Sequence, residues 1–262
     1  MNLLGLDLKI KCLSYLTLEE NLTVYSNDSS ILAKLIRYYK IKKLRIDDQI
    51  ADGNIETVKF LCTLGRKISK YSINKATWNG HIEMVKYLIA SGIEPDHRTL
   101  NQAVATGNLR LTEYLLKYTT SSNNTMVSAI ESGNLQMVKY LHDKGILCVD
   151  DMLELAGTKG HLEIFKYLIS EGYGPHIYFL DRIIQAGQLE IIKYLCTLGI
   201  HPNKESLNLA VQYGCPEILK YFISLGIAPN DETMRIALRE YHQEIIQYLV
   251  TLGLEIGNYM EG

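Results

Sequence analysis

Hydrophobic positions along this chain return with a period of 27 residues. The segment Gly80-His81-Ile82-Glu83-Met84-Val85-Lys86-Tyr87-Leu88-Ile89-Ala90-Ser91-Gly92 has close copies whose first positions are Gly53, Gly107, Gly133, Gly160, Gly187, Gly214 and Tyr241, with one step of 26 between Gly107 and Gly133. Such self-similarity marks an array in which each unit buries its apolar face against its neighbours. Within a copy the apolar spacing predicts two helices, A and B. Helix A carries a large apolar residue seven positions before the reference (Ile73, Leu100, Met126, Leu153, Leu180, Leu207, Met234) and usually Ala four before it (Ala76, Ala103, Ala129, Ala156, Ala210, Ala237). Helix B presents a stripe such as Ile82, Val85, Leu88 and Ile89.

The punctuation agrees with this division. Pro95, Pro175, Pro202 and Pro229 lie twelve positions before the reference and block continuation of the preceding helix. Asp96, Asn203, Asn230, Ser69 and Ser122 follow at a capping position, where a short side-chain oxygen accepts orphan N–H groups. The reference Gly ends helix A, and the residues after it (Asn54, His81, Asn108, Asn134, His161, Gln188, His242) lead into helix B, the three histidines reading as structural caps. Gly65, Gly92, Gly145, Gly172, Gly199, Gly226 and Gly253 close helix B. The third copy breaks this closure at Tyr118-Thr119-Thr120.

Gly160-His161-Leu162-Glu163-Ile164, followed by Lys166-Tyr167-Leu168, and the upstream pattern of Thr99-Leu100 with Ala103 resemble the ankyrin repeat, over about residues 45 to 255. Ankyrin units usually run about 33 residues and include a finger-like hairpin. These copies are similar to the shortened units abundant in large viruses of amoebae. The resemblance implies an all-α, ankyrin-like helical solenoid of about eight helix-turn-helix units with shortened loops. It also implies that partners are recognised on a concave helix A face, through the two residues before the turn Gly.

Those two positions vary while their neighbours repeat, and they supply the candidate partner-binding residues: Trp78, Asn79, Thr106, Glu131, Thr158, Lys159, Gln185, Gln212, Tyr213 and Arg239. Trp78 and Tyr213 are the natural anchors, since aromatic side chains give large contact area at low entropic cost. An alternative for Trp78 is that it covers the N-terminal end of the stack.

Residues 1–40 lie outside the period and predict two or three short helices. The run Leu4 to Leu22 resembles an F-box, which docks onto the Skp-type linker subunit of cullin ubiquitin ligases. That resemblance implies docking through Leu6, Leu8, Leu13, Leu16, Leu18 and Leu22, although Gly5 stands where the family usually has Pro. The same segment reads equally as a cap for the first repeat. Residues 41–255 form the array, and 256–262 a tail. In the last copy Tyr241 replaces the turn Gly and Gln247 the recurring Lys, as expected of a terminal capping repeat.

Charge and composition narrow the function. The 27 Lys and Arg against 29 Asp and Glu leave a net charge of −2, which gives no overall attraction to nucleic acid or anionic membranes. The interleaved run Lys34, Arg37, Tyr38, Tyr39, Lys40, Lys42, Lys43 and Arg45 reads as a solvated face or linker. Lys59, Lys86, Lys139, Lys166, Lys193 and Lys220 recur on helix B, but Glu56, Glu83, Glu163, Glu190 and Glu217 lie three residues earlier and neutralise most of them. Five cysteines without C-x-x-C spacing argue against a disulfide framework or zinc site, and Cys62 and Cys196 read as small core residues. No phosphate loop, dinucleotide fingerprint, nucleophile elbow or zinc-protease motif is present, and a solenoid lacks the deep pocket that general acid–base chemistry needs. The expectation is a non-enzymatic protein with no cofactor, metal or small-molecule substrate. It would be intracellular and cytoplasmic, in the host cytoplasm for a viral protein, and would bind a protein partner. The runner-up is a self-assembling structural or virion-associated protein.

Overall fold

The computed structural model describes residues 44–63, 65–146, 151–174 and 179–256. The F-box-like leucines Leu6 to Leu22 therefore lie outside the described residues. Among the described residues there are 16 helices and no strands. In chain order they are α1 (Ile46–Ala51), α2 (Ile55–Thr63), α3 (Ser72–Trp78), α4 (Ile82–Ala90), α5 (His97–Ala105), α6 (Leu109–Leu115), α7 (Asn123–Glu131), α8 (Leu135–Asp143), α9 (Met152–Thr158), α10 (Leu162–Ser170), α11 (Phe179–Gln185), α12 (Leu189–Thr197), α13 (Lys204–Gln212), α14 (Pro216–Ser224), α15 (Asp231–Arg239) and α16 (Gln243–Thr251). Odd-numbered helices are the A helices of the repeat and even-numbered ones the B helices, as in an ankyrin-like solenoid.

Two compact units divide the chain at Thr99 and Leu100. In the first, α1 packs on α2 and α3, and α4 packs on both α2 and α3. Its core is Ile50, Val58, Leu61, Ile73, Ala76, Met84, Val85 and Leu88, all buried. The second unit repeats the scheme: α7 packs on α9, α9 on α11, α11 on α13 and α13 on α15, each odd helix also holding its even partner. The Ala of helix A is fully buried at Ala103, Ala129, Ala156, Ala210 and Ala237. A side chain this small leaves room for neighbouring helices to approach closely.

The turn after helix A is a left-handed glycine cap. Gly80 has φ 73°, its N–H reaches the Thr77 carbonyl at 3.0 Å, and the His81 N–H reaches the Ala76 carbonyl at 2.9 Å. Helix B closes likewise at Gly92, with the Ile93 N–H bonded to the Leu88 carbonyl at 3.1 Å. The third copy does end without a left-handed residue: Tyr118 and Thr119 both donate to the Leu115 carbonyl, at 2.9 and 3.1 Å.

Several sequence expectations shift. Ile82 and Ile89 are half-buried, while Met84 joins Val85 and Leu88 in the core. Cys62 and Cys196 are also half-buried and not core residues, because their register lies at the edge of the helix B stripe. The helix expected to begin just after Ser69 begins at Ser72, since residues 69–72 first close a turn through the Ser72 N–H and the Ser69 carbonyl at 3.0 Å. At other helix A entries the expected caps form. Asn203 accepts the Ser206 N–H at 2.9 Å, Asn230 the Thr233 N–H at 3.2 Å, and Asp96 the Arg98 and Thr99 N–H groups, each at 3.0 Å. Burial pushes the Asp96 carboxyl up, but the bonds from Thr99 and Arg98 outweigh it and hold the group below its ordinary value.

The middle of the second unit uses a different packing solution. Phe165 and Phe179 stack with centroids 5.4 Å apart, and Ile183 stands where most copies have Ala. Gly157 compensates: a Cβ there would come within 2.6 Å of Ile183 Cδ1 and 3.0 Å of the Phe179 ring.

Candidate functional site

The C-terminal ends of the odd-numbered helices carry the candidate partner-binding residues. In the first unit Trp78 is 60% exposed and Asn79 is exposed. In the second, Thr106, Glu131, Lys159, Gln185, Gln212, Tyr213 and Arg239 are exposed, and Thr158 is half-buried. These exposures follow from the repeat. Residues three, four and seven before the turn face inward, so the two just before it point to solvent.

Their polar groups are not equally available. Asn79 donates to the Lys75 carbonyl at 2.9 Å, Thr106 to the Ala103 carbonyl at 2.9 Å, and Thr158 to the Glu154 carbonyl at 2.8 Å, so all three bond back onto their own helices. Lys159 reaches Glu131 on the preceding odd helix at 3.8 Å, and Arg239 pairs with Glu240 at 2.9 Å. Gln185 and Gln212 spend no side-chain group on the chain among the described residues. They stand with Tyr213, which is 41% exposed, on the ends of α11 and α13.

The rest of the repeat is structurally committed. On helix B, Lys59 bonds Glu56 at 2.8 Å, Lys86 Glu83 at 2.7 Å, Lys166 Glu163 at 2.9 Å, Lys193 Glu190 at 2.7 Å and Lys220 Glu217 at 2.7 Å. Lys220 also reaches Glu244 at 3.3 Å, and the bonds to Glu217 and Glu244 push its pKa up. Ammonium groups at this register also sit over a tyrosine of the next copy: Lys59 over Tyr87 at 5.8 Å, Lys139 over Tyr167 at 5.2 Å, Lys166 over Tyr194 at 5.7 Å, Lys193 over Tyr221 at 6.0 Å and Lys220 over Tyr248 at 5.8 Å. This ladder was legible as a fixed Lys and a fixed Tyr, but not as a pair, because the partners are a full repeat apart.

Two further inter-repeat devices escaped the sequence reading. His161 and His242 do not cap their own helices. Their Nε2 atoms lie 3.3 and 3.2 Å from the carbonyls of Glu131 and Gln212, at the end of the preceding helix A, where Gln188 also donates to Thr158 at 3.2 Å. His81 likewise makes no cap bond. The cause is steric. The imidazole lies against the preceding turn Gly, so a Cβ at Gly133 would come within 2.8 Å of the His161 ring, and one at Gly53 within 2.8 Å of His81. The shorter Asn108 and Asn134 do act as caps, accepting from Leu111 at 3.1 Å and Met137 at 3.0 Å.

The second device is a buried polar rung. Thr99 donates to Asn74, Thr125 to Asn101 and Thr233 to Asn208, each at 2.7 Å, and Ser72 donates to Asp47 at 2.9 Å. A recurring Ser or Thr eight before the reference, with Asn or Asp six before it in the preceding copy, was the available signal. The thiol of Cys215, half-buried beside the Ile184 carbonyl at 3.6 Å, is pushed up by burial and is a poor nucleophile. Among the described residues no His, Cys, Asp and Glu cluster could hold a metal, and no helix is long and apolar enough to cross a membrane.

The arrangement defines an all-helical repeat scaffold whose variable residues share one register. The chain belongs to the ankyrin repeat family: the model for ankyrin repeats (3 copies) matches residues 73–152, 100–181 and 153–233. Ankyrin repeats serve as scaffolds for protein interaction. Among solved structures the chain is similar to the pentatricopeptide repeat protein PPR10 in complex with an 18-nt psaJ RNA element, at 14% identity and TM-score 0.42, covering 81% of this chain and 38% of that one. It is also similar to PPR10 from maize, at 15% identity and TM-score 0.39, covering 81% and 39%. The chain thus spans well under half the length of those proteins. Comparison with curated proteins finds no match.

Proposed function

We propose that this protein is a non-enzymatic scaffold that binds a protein partner through the exposed ends of its odd-numbered helices. One observation carries the reading: of the candidate residues that differ between copies at fixed register, all but the half-buried Thr158 are exposed, whereas the repeated ones are spent on core, caps, rungs and compensated charges. In the second unit Gln185, Gln212 and Tyr213 make the contact, with Arg239 beside them; in the first, Trp78 does.

We further propose that residues 1–40 connect this scaffold to a Skp-type ubiquitin ligase subunit, which would make the protein a substrate adaptor. The support is the Leu6, Leu8, Leu13, Leu16, Leu18 and Leu22 pattern alone. Affinity capture with the full chain, with residues 1–40 deleted, and with Gln185, Gln212 and Tyr213 changed to Ala tests both statements. The adaptor reading expects the deletion to lose Skp-type and cullin subunits while retaining the other partner. The triple substitution should do the reverse. Ligase subunits absent from every sample overturn the adaptor. Oligomers of the chain that persist on dilution, with no other protein retained, would favour the self-assembling structural reading.

A further inference from the structure

We infer that the face of α3 carrying Tyr71 and Trp78 is a docking site for an acidic, apolar-bearing segment of a partner protein. The site presupposes the interaction scaffold proposed above and names the chemistry of its partner.

Tyr71 immediately precedes α3 and, with φ −87° and ψ −6°, stays on the helical path. Trp78 ends the same helix seven residues later, so the two side chains share one face, about 10 Å apart along the axis at 1.5 Å per residue. Both are 60% exposed. Two large rings left in water on one short helix, beside a core that buries Ile73 and Ala76, form an unfilled contact surface.

The loop and helix that carry them hold charge of one sign. Between Glu56 and Glu83 the sequence contains Lys59, Arg66, Lys67, Lys70 and Lys75 and no carboxylate. Lys59 is held by Glu56 at 2.8 Å and Lys75 by Asp47 at 3.4 Å. Lys67 and Lys70 are exposed on the loop leading into α3 and pair with no carboxylate among the described residues. The Lys70 ammonium lies 5.0 Å from the centroid of the Tyr71 ring, adjoining the aromatic face. In the next copy Glu94 stands at the position of Lys67 and His97 at that of Lys70, with Asp96 beside it.

A complementary ligand therefore carries carboxylates opposite Lys67 and Lys70 and apolar side chains opposite Tyr71 and Trp78. A single nucleic-acid strand also meets aromatic rings and cations, but it needs a basic track along its phosphates. Here the cations occupy one loop, and the flanking surface carries Asp48, Asp52, Glu94 and Asp96, all exposed. That limits the ligand to a short acidic segment.

The test is selection of a displayed library of random dodecapeptides on the immobilised full chain, with a twelve-nucleotide oligo(dT) as a parallel probe. Selected peptides should be enriched in Asp and Glu together with aromatic or aliphatic residues. Their binding should weaken more than tenfold in K67E/K70E and in Trp78→Ala, and fall with added salt. K67R/K70R should retain it, and all variants should melt with the wild type, since the substituted side chains are exposed. Peptides without acidic enrichment, peptides indifferent to K67E/K70E or Trp78→Ala, no enrichment at all, or tighter Trp78-dependent binding of oligo(dT) would each overturn the site. Changing Gln185, Gln212 and Tyr213 to Ala should leave these peptides bound. A native partner lost only through that triple change would leave the scaffold standing while removing the α3 site.

Discussion

At the turn after helix A, glycine meets two demands at once. It takes a left-handed φ, and it leaves space for a side chain from the next copy: at Gly133 the His161 ring fills that space, whereas a Cβ at Gly92 would meet nothing within 4 Å. The two positions should respond differently. Gly92→Ala costs only the left-handed penalty, about 1 kcal/mol, while Gly133→Ala adds displacement of the ring and costs about 2–3 kcal/mol, measured by denaturant unfolding. Tyr241 shows the converse. It adopts φ 57° and is 85% exposed, so its β-carbon is tolerated without a crossing side chain. Tyr241→Gly should raise stability by about 1 kcal/mol, and an unchanged unfolding midpoint would contradict this. The left-handed demand was legible from recurrence of Gly. The steric one was not, because its cause sits 28 residues downstream at His161, where a His before a helix resembles an ordinary cap.

Among the elements, the period alone placed the helix pairs and most of their caps, because apolar spacing and Gly closure repeat with little noise. The starting point of α3 was missed since Ser69 imitates a cap while actually closing a turn. The rungs between odd helices were missed because each joins residues of different copies. The Thr125 hydroxyl is buried against the Asn101 side chain at 2.7 Å. Thr125→Val leaves the Asn101 oxygen short of its donor and should cost about 1–3 kcal/mol, whereas adding Asn101→Leu should recover part of that loss. Strictly additive costs in this double-mutant cycle would contradict a direct rung. The Asp96 cap has a pH signature. Its carboxyl is held below the ordinary value, so its contribution is whole above the unfolded value of about 4 and fades as the pH falls through the lower folded value. Asp96→Ala should cost about 1 kcal/mol at neutral pH. Asp96→Asn should keep most of the cap and flatten that acid-side decline.

Across the molecule, the repeated residues that make the chain recognisable are those least free to bind anything. The Lys positions of helix B looked like a basic strip, yet in the structure Lys59, Lys86, Lys166, Lys193 and Lys220 are each bonded to Glu on their own helix. The candidate contact residues were legible only as disagreement between copies. Sequence could not rank them, because whether Thr106 or Thr158 turns back onto its own helix depends on side-chain geometry, whereas Gln185 and Gln212 remain available. The decisive measurement compares two sets of substitutions in the full chain, using binding of a partner recovered by affinity capture. One set changes Gln185, Gln212 and Tyr213 to Ala, and the other changes Lys166, Lys193 and Lys220 to Ala. The first set is expected to weaken binding more than tenfold with unchanged melting, and the second to leave affinity within about twofold. Loss of binding in the helix B set, with the helix A set unaffected, would contradict this.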